Sequence, residues 1–270
     1  MSEFLSIITI NYNNADGLKK TLQSVASQTC QDYEHIIIDG GSTDGSVDVI
    51  KEFLKNDAYA LHVAYWHSKK DKGIYDAMNT GIPHANGKYC LFLNSGDYLA
   101  DNDVLQRLVE YNFSEDIIYS DAIIYSGRKE SFQKASKEIT INFFYNWQGL
   151  IHQNVLFKTS YVKENPYSSD FKIKADTDLI MKAFFDGLRF RHINDVISKY
   201  EGDQGISSVS STQRIRDDEW NRLIDKYIPA HVVYLELRSY LLYRGLLTKI
   251  RNCLRVYSKI RGKITDFFKR

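Results

Sequence analysis

The stretch that decides the fold is FLSIITINYN at residues 4–13, followed at residues 35–46 by HIIIDGGSTDGS. Each begins as a short, β-branched, apolar run and ends in polar residues, which is typical of a buried parallel strand that stops at the edge of a sheet. Asp16 is placed to cap a helix between the two strands. The same alternation continues with strands at residues 62–66 and 89–93. Strands separated by helices of this length imply β-α-β crossovers and an open α/β sheet.

Beyond residue 103 the alternation of strands and helices becomes less regular. Apolar runs predict three more strands, and an amphipathic run that ends at Gly187 predicts a helix with a glycine C-cap. A further helix is expected after a loop rich in Gly and Ser. The predicted strands cover residues 116–126, 154–158 and 192–200, and the predicted helices cover residues 174–187 and 211–227.

The composition is that of an ordinary globular protein. The chain has 270 residues, 43% of them hydrophobic and 26% charged, and its 35 basic and 34 acidic residues almost cancel. This balance argues against a protein that coats nucleic acid and against a disordered acidic tail. The 3 cysteines lie far apart, which excludes a disulfide framework and favours a reducing compartment. With no secretory leader and no apolar run of about 18 residues, the protein is expected in the cytoplasm.

The charge is unevenly distributed along the chain. Residues 238–270 contain ten basic side chains and one acidic side chain, a net charge of +9, which leaves −8 for residues 1–237. Apolar residues recur in this tail at helical spacing, so an amphipathic helix is expected. Such a helix can lie on an anionic membrane surface, pack on the rest of the protein or form a dimer contact. The charge density favours the membrane, and nothing else in the chain supports a nucleic-acid partner.

Polar clusters follow three of the predicted strands. They are Asn-Tyr-Asn at residues 11–13, Asp-Gly-Gly-Ser at residues 39–42 and Asn-Ser-Gly-Asp at residues 94–97. Ligands of open α/β sheets bind at the carboxyl ends of the strands, so the three clusters are expected to line one rim.

Asp39 has two possible roles at this rim. Its carboxylate can accept hydrogen bonds from a base or a ribose, and the two glycines after it let a ligand approach the backbone. Alternatively, Asp39 or Ser42 caps the next helix, for which Asp44 is better placed. We therefore favour a ligand role for Asp39. The glycines do not form the Gly-x-Gly-x-x-Gly loop of a dinucleotide site.

Two other positions could contact a metal or a phosphate. Asp97 suits a hard divalent cation that takes its remaining ligands from phosphate oxygens and water, although it could instead cap the next helix, a role for which Asp101 and Asp103 compete. His152, which precedes Gln153 and a predicted strand, could contact a phosphate, a metal or an acceptor, or it could be a buried structural residue.

Asp176 and Asp178 lie at the start of the predicted helix over residues 174–187. One interpretation is favourable negative charge at a helix N-terminus. The other is a general base, which must reach an acceptor hydroxyl in its ionised form. The residues alone do not decide between the two.

In their order and spacing, these motifs resemble those of the family 2 glycosyltransferases, which have the GT-A fold. The resemblance covers about residues 4–205 and rests on Thr9-Ile10-Asn11-Tyr12-Asn13, Ser24-Val25-Ala26-Ser27-Gln28-Thr29 and Asp39-Gly40-Gly41-Ser42-Thr43-Asp44-Gly45. Residues 71–81, 92–97 and 175–179 are similar to a narrower subgroup found in bacterial O-antigen and capsule gene clusters. The wider family has Asp-x-Asp-Asp where this chain has residues 94–97, and Ala175 replaces the glutamate of the family's Glu-Asp pair.

The resemblance implies a role for each candidate residue. Asp97 would hold Mn²⁺ or Mg²⁺ and Asp176 would be the catalytic base. The nucleotide-binding residues would be Thr9, Tyr12, Asp39, Ser42, Asp71 and Lys72, the last two near the donor sugar and diphosphate. Contacts to the acceptor or the diphosphate would come from Asn94, His152, Gln153 and Asp178.

The expected fold is therefore α/β, an open, twisted, mixed sheet of the GT-A type flanked by helices, with a C-terminal basic amphipathic helical extension. Residues 1–210 would form the catalytic domain, divided into a nucleotide-binding half over residues 1–100 and an acceptor-binding half over residues 101–210. Residues 211–270 would form the membrane-associating extension.

The resemblance also implies the reaction. The protein would be an inverting glycosyltransferase that moves one sugar from a nucleotide-diphospho donor, expected to be a UDP-sugar, to a saccharide acceptor. The acceptor would be polyprenyl-linked, in bacterial surface polysaccharide synthesis, with the protein peripheral on the inner face of the plasma membrane. The Gln-x-x-Arg-Trp motif of processive synthases is absent, which favours transfer of a single sugar. The competing hypothesis is a non-catalytic GT-A domain that binds a sugar nucleotide or a partner synthase.

Overall fold

The computed structural model describes residues 3–146, 150–202 and 210–228. The chain divides into two compact units, residues 1–213 and 214–270, and the first contains the sheet and every candidate site residue. The basic tail over residues 238–270 lies outside the described residues, so its expected helix is not among the elements below. Within the described part, no helix is both long enough and apolar enough to cross a bilayer.

The described strands form one mixed sheet. Its order is β3-β2-β1-β4-β8-β6-β9-β5, and β7 pairs with β6 off this path. The strands are β1 (Leu5–Asn11), β2 (Tyr33–Asp39), β3 (Val63–Ser68), β4 (Tyr89–Phe92), β5 (Tyr98–Leu99), β6 (Ile117–Ser126), β7 (Lys129–Gln133), β8 (Val155–Lys158) and β9 (Phe190–Glu201).

The helices of the first unit connect and flank these strands. They are α1 (Ala15–Ala26), α2 (Ser46–Phe53), α3 (Asp57–Ala60), α4 (Ile74–Gly81), α5 (Val104–Glu110), α6 (Ile141–Asn146), α7 (Thr159–Glu164) and α8 (Ala175–Phe185). Helix α9 (Gln213–Tyr227) lies almost wholly in the second unit. Short 3₁₀ turns cover Ile82–His84, His152–Asn154 and Ser210–Thr212.

The first half of the sheet is parallel, as the sequence predicts. Strand β1 lies between β2 and β4 and is parallel to both, with Ile8 opposite Ile36 on one side and Phe92 on the other. Every residue of β1 and β2 is buried, because helices cover both faces of this part of the sheet. The register also places Asn11 opposite Asp39, so that two of the predicted polar clusters meet at one edge.

The second half of the sheet is mixed. Strand β8 is antiparallel to both β4 and β6, whereas β9 runs parallel to β6. Because two antiparallel pairings restore the original direction, the end of β9 reaches the same edge as the end of β1. Glu201, the last residue of β9, therefore arrives near the turn that follows β4.

Some local predictions need correction. Asn14, and not Asp16, caps α1, since its side-chain oxygen accepts a hydrogen bond from the N–H of Gly17 at 3.1 Å, whereas Asp16 lies in the first turn. Strand β3 continues to Ser68, beyond the predicted end at residue 66. Neither β5 nor β7 is anticipated from the sequence. Strand β5 has two residues, and β7 is exposed at all five positions, so neither has an apolar pattern to detect.

Candidate active site

The ends of β1, β2 and β4 form a polar rim, which we define as residues 11–13, 39–42 and 94–97. The side-chain amide of Asn11 donates to the carboxylate of Asp39 at 2.7 Å. The N–H of Ser95 donates to the carbonyl of Ile10 at 3.0 Å, which extends the pairing of β1 and β4 into the turn. The three clusters thus lie side by side, as the topology of an open α/β sheet requires.

Asp39 is fully buried beneath this rim. Its carboxylate accepts hydrogen bonds from the amide of Asn11, the N–H groups of Gly41 and Ser42, and the hydroxyls of Ser42 and Ser68. Burial works to raise the pKa of Asp39, but the bonds from Ser42, Ser68 and Asn11 outweigh it and keep the pKa below its usual value. The ionised carboxylate therefore holds the loop over residues 40–42 in place.

Thr9 and Ser42 also use their hydroxyls within the protein. The hydroxyl of Thr9 is fully buried on β1 and hydrogen-bonds to His35 Nε2 at 2.9 Å. Burial, helped by nearby His62, lowers the pKa of His35 to about 3, so that this ring is neutral. The hydroxyl of Ser42 donates to Asp39 at 2.6 Å and accepts from the N–H of Asn13 at 2.8 Å. The nucleotide contacts predicted for these two side chains remain predictions.

Tyr12, Gly40 and Asp71 form an open corner of the rim. The ring of Tyr12 is 66% exposed. A Cβ placed on Gly40 would lie 2.5 Å from Asp71 Oδ2 and 3.2 Å from the ring of Tyr12. Asp71 is held by the N–H of Gly73, which donates to its carboxylate at 2.9 Å, and Lys72 beside it is exposed. Two of the predicted nucleotide-binding residues, Tyr12 and Asp71, are thus brought together against Gly40, which is itself buried, and Lys72 follows Asp71 in the chain.

Asp97 differs from Asp39 in its environment. It is 4% exposed, and it accepts one hydrogen bond from Gln153 Nε2 at 2.8 Å and one from the N–H of Glu201 at 2.9 Å. Burial raises the pKa of Asp97 to about 7 against the opposing effect of these two hydrogen bonds. Gln153, a candidate acceptor or diphosphate contact, therefore lies against the carboxylate of Asp97.

The turn before Asp97 offers oxygen atoms that could hold a divalent cation. Asn94 Oδ1 is a buried atom without a hydrogen-bond partner. A Cβ on Gly96 would lie 2.7 Å from Glu201 Oε2, so the carboxylate of Glu201 occupies the space above this glycine. No group of three or more acidic, histidine or cysteine side chains lies together in the described ranges. Magnesium is usually bound by one or two carboxylates and substrate phosphates, and this set of oxygens fits that pattern.

Asp176 lies in the first turn of α8 and remains partly open to solvent. Its Oδ1 accepts a hydrogen bond from the N–H of Thr177 at 2.7 Å and from the hydroxyl of Tyr75 at 3.2 Å. Asp178 is 5% exposed in the same turn. Of the two aspartates, Asp176 is therefore the more exposed to solvent.

His152 is enclosed by aromatic rings. Its Nε2 hydrogen-bonds to the hydroxyl of Tyr167 at 2.6 Å, and its ring stacks on Phe92 with centroids 5.3 Å apart. Burial lowers the pKa of His152, with Asp176 acting in the opposite direction, so that the ring is neutral at pH 7. These contacts favour the structural alternative for His152.

Two residues near the candidate site were not singled out from the sequence. Tyr75 lies inside the motif at residues 71–81, but its sequence context does not reveal that it contacts Asp176, 101 positions away. Glu201 ends strand β9, whose pairing with β6 brings it to Gly96. Both depend on contacts between distant segments, for which a single sequence carries no signal.

A mixed sheet with a parallel N-terminal half and a polar rim at its strand ends is typical of the GT-A fold. Two solved structures share it. The structure of S. aureus TarS 1-349 in complex with UDP-GlcNAc matches with a TM-score of 0.64 and 16% sequence identity. The matched region covers 94% of this chain and 79% of the TarS chain. The mannosyltransferase PcManGT from Pyrobaculum calidifontis, in complex with GDP-Man and Mn²⁺, matches with a TM-score of 0.64 and 15% sequence identity. The matched region covers 98% of this chain and 76% of the PcManGT chain. These likenesses confirm the predicted fold class.

The chain belongs to glycosyl transferase family 2, whose family model matches residues 6–169. A PGL/p-HBAD biosynthesis glycosyltransferase of Mycobacterium tuberculosis is 30% identical over 209 residues, which are 76% of this chain and 79% of that protein. A second M. tuberculosis glycosyltransferase, named as uncharacterized, is 36% identical over 184 residues, 66% of this chain and 68% of its own. The protein is thus a glycosyltransferase, as the sequence motifs predict.

Proposed function

We propose that the protein is an inverting glycosyltransferase that moves a single sugar from a UDP-sugar to a saccharide acceptor carried on a polyprenyl lipid, in the synthesis of a bacterial surface polysaccharide. The observation that carries the reaction is the accessible carboxylate of Asp176, which lies one hydrogen bond from α4, the helix that begins at Ile74, shortly after Asp71 and Lys72. The helix therefore connects the candidate base with the corner formed by Tyr12, Gly40 and Asp71, which we call the donor corner.

The donor would bind along the rim. The exposed ring of Tyr12 offers a face on which a nucleotide base can stack, and Asp71 and the loop shaped by Asp39 lie beside it. Lys72 places a positive charge near the diphosphate. The carboxylates of Asp97 and Glu201 would hold Mn²⁺ or Mg²⁺, which neutralises charge on the departing diphosphate when bound.

Asp176 would act as the general base. Its carboxylate takes the proton of the acceptor hydroxyl while the hydroxyl oxygen attacks the anomeric carbon from the face opposite the diphosphate. The new C–O bond forms as the bond to the diphosphate breaks, so the configuration inverts. An N-terminal helical position suits this role, because the helix dipole favours the ionised carboxylate before the proton is taken.

Residues 1–100 would supply the nucleotide-binding half, residues 101–210 the acceptor-binding half and residues 211–270 a membrane-associating extension. The net charge of +9 over residues 238–270 supports binding to anionic lipid on the inner face of the plasma membrane. Cosedimentation with vesicles of phosphatidylglycerol, compared with phosphatidylcholine, tests this. Binding to neither vesicle would refute the proposed membrane association.

Donor hydrolysis by the purified full-length chain tests the reaction. The panel contains UDP-glucose, UDP-galactose, UDP-GlcNAc, UDP-GalNAc, GDP-mannose and dTDP-rhamnose, each with Mn²⁺, Mg²⁺ or EDTA. We expect one UDP-sugar to be hydrolysed, with an inverted first product by ¹H NMR and loss of turnover in EDTA. A GDP-mannose preference would refute the uridine donor, and a retained configuration would refute inversion.

Two matched substitutions in α8 test the base. Asp176→Asn should abolish hydrolysis, whereas Asp186→Asn, at the C-terminal end of the same helix, should not. Asp186 carries an exposed ion pair with Lys182 and lies outside the candidate site. Equal activity of the two variants would remove Asp176 from the mechanism.

A further inference from the structure

We propose that Tyr75 is a positioning residue, which fixes the carboxylate of Asp176 and so ties the base to the donor corner through α4. The inference rests on the proposed role of Asp176 as the base. Tyr75 would touch neither donor nor acceptor and would affect the reaction through Asp176.

The hydroxyl of Tyr75 lies between two acceptors at the start of α8. It is 2.7 Å from the carbonyl oxygen of Ile173 and 3.2 Å from Asp176 Oδ1. The N–H of Thr177 donates to the same carboxylate oxygen at 2.7 Å. The hydroxyl of Thr177 adds a longer contact to Oδ1 at 3.4 Å. The single proton of the Tyr75 hydroxyl is shared between the Ile173 carbonyl and Oδ1, so donors from two elements converge on Oδ1. This restrains rotation of the carboxylate and leaves Oδ2 for an incoming hydroxyl.

A second contact fastens the same segment to α4. Asn79, one helical turn after Tyr75, donates to the carbonyl of Tyr167 and accepts from its N–H, both at 2.8 Å. The rings of Tyr75 and Tyr167 stack with centroids 5.4 Å apart. Residues i and i+4 share one helix face, so Tyr75 and Asn79 together present a single surface of α4 to residues 167–176.

This arrangement brings the base close to the donor corner along the chain. Asp71 stands beside Gly40 three residues before α4 begins, the N–H of Gly73 holds its carboxylate, and Tyr75 is the second residue of the helix. The short segment over residues 71–75 therefore limits the variation in the distance between the donor corner and the base. Catalytic groups need such precision, since misplacement by about 1 Å can lower a rate about a hundredfold.

Tyr75→Phe tests the inference, because it removes the hydroxyl and keeps the ring on Tyr167. Tyr161→Phe is a matched control: the hydroxyl of Tyr161 donates to Asp186 at 3.1 Å, at the other end of α8. The assay is hydrolysis of the panel donor that the full-length wild-type protein turns over fastest. Titration calorimetry with the nucleoside diphosphate of that donor, UDP, GDP or dTDP, measures nucleotide binding at the donor corner.

We expect Tyr75→Phe to lower kcat about tenfold, a factor within reach of one hydrogen bond to a charged group, with KM for the donor and the nucleoside diphosphate Kd unchanged. Tyr161→Phe should keep the wild-type kcat. An unchanged kcat in Tyr75→Phe would overturn the inference, and so would equal losses in kcat, donor affinity and Tm, which indicate a packing role. A wild-type protein that turns over no donor would instead remove the proposed reaction, and with it the role of Tyr75.

Discussion

The two buried aspartates of the rim should respond in opposite ways to neutralisation. We expect Asp97→Asn to stabilise the protein much more at pH 8 than at pH 5. Burial raises the pKa of Asp97 from 3.8 to about 7, so folding forces an ionised carboxylate into a poorly solvated place at pH 8. An asparagine amide has no charge to desolvate.

The magnitude follows from proton linkage. At pH 5 the carboxyl is protonated in the folded chain and ionised in the unfolded chain, so the folded state binds the extra proton and gains stability from it. That gain disappears as the pH rises through 7. A folded pKa of about 7 against 3.8 gives a loss of about 3 kcal/mol between pH 5 and pH 8. For a domain of this size the loss corresponds to roughly 5–10 °C in Tm.

The local contacts allow the substitution. The asparagine carbonyl can still accept from the N–H of Glu201, and its NH₂ can donate to Gln153 once the Gln153 amide turns over. Asp39→Asn is the contrasting control, because every partner of Asp39 donates to it and its pKa is already low. It should destabilise by about 1–3 kcal/mol, equally at pH 5 and pH 8.

Thermal and urea unfolding of wild type, Asp97→Asn and Asp39→Asn at the two pH values measure these differences. Comparing each variant with wild type at the same pH cancels the titration of every other group. If Asp97→Asn were destabilised equally at both pH values, burial of the charge could not be the dominant effect at this carboxyl, and the reasoning would fail.

Three further outcomes are expected. Gly40→Ala should weaken UDP binding in calorimetry, because the new Cβ would lie 2.5 Å from Asp71 Oδ2, and an unchanged Kd would contradict the geometry of the donor corner. Asn79→Ala should lower the free energy of unfolding in urea by about 2–3 kcal/mol, because it leaves two backbone groups of Tyr167 without partners, and a loss below about 0.5 kcal/mol would refute this. Mn²⁺ should raise Tm more at pH 8 than at pH 6, because the cation competes with the proton on Asp97; an equal response in Asp97→Asn would place the ion elsewhere.

The parallel half of the fold was predictable because its signals are local. Strands β1 and β2 each contain a short run of β-branched apolar residues, are buried at every position, and end in a polar cluster. The rim follows from the same pattern, since parallel strands end at one edge. The mixed half was less accessible: β7 has no buried residue, and the antiparallel position of β8 between β4 and β6 depends on contacts between distant segments.

For the candidate site residues, too, only part of the structure could be predicted from the sequence. Their positions on strand ends could be predicted, but their solvent exposure could not. Asp39 and Tyr12 belong to adjacent clusters, yet one is fully buried and the other is 66% exposed. The exposure of a strand-end side chain depends on which face of the sheet it lies on and on which residues cover that face. The motif specifies neither.

Two glycines of the rim, Gly40 and Gly96, have the same physical surroundings. The family pattern allows an aspartate at position 40 and has one at position 96, and this chain has glycine at both. In both places a carboxylate from another element, that of Asp71 or that of Glu201, lies within 3 Å of where the side chain would begin. A motif specifies residue types at sequence positions, whereas a ligand contacts atoms that can come from any segment of the chain. The acidic character of the rim is therefore greater than its motifs suggest, and the absence of a motif carboxylate is weak evidence against the chemistry that needs one.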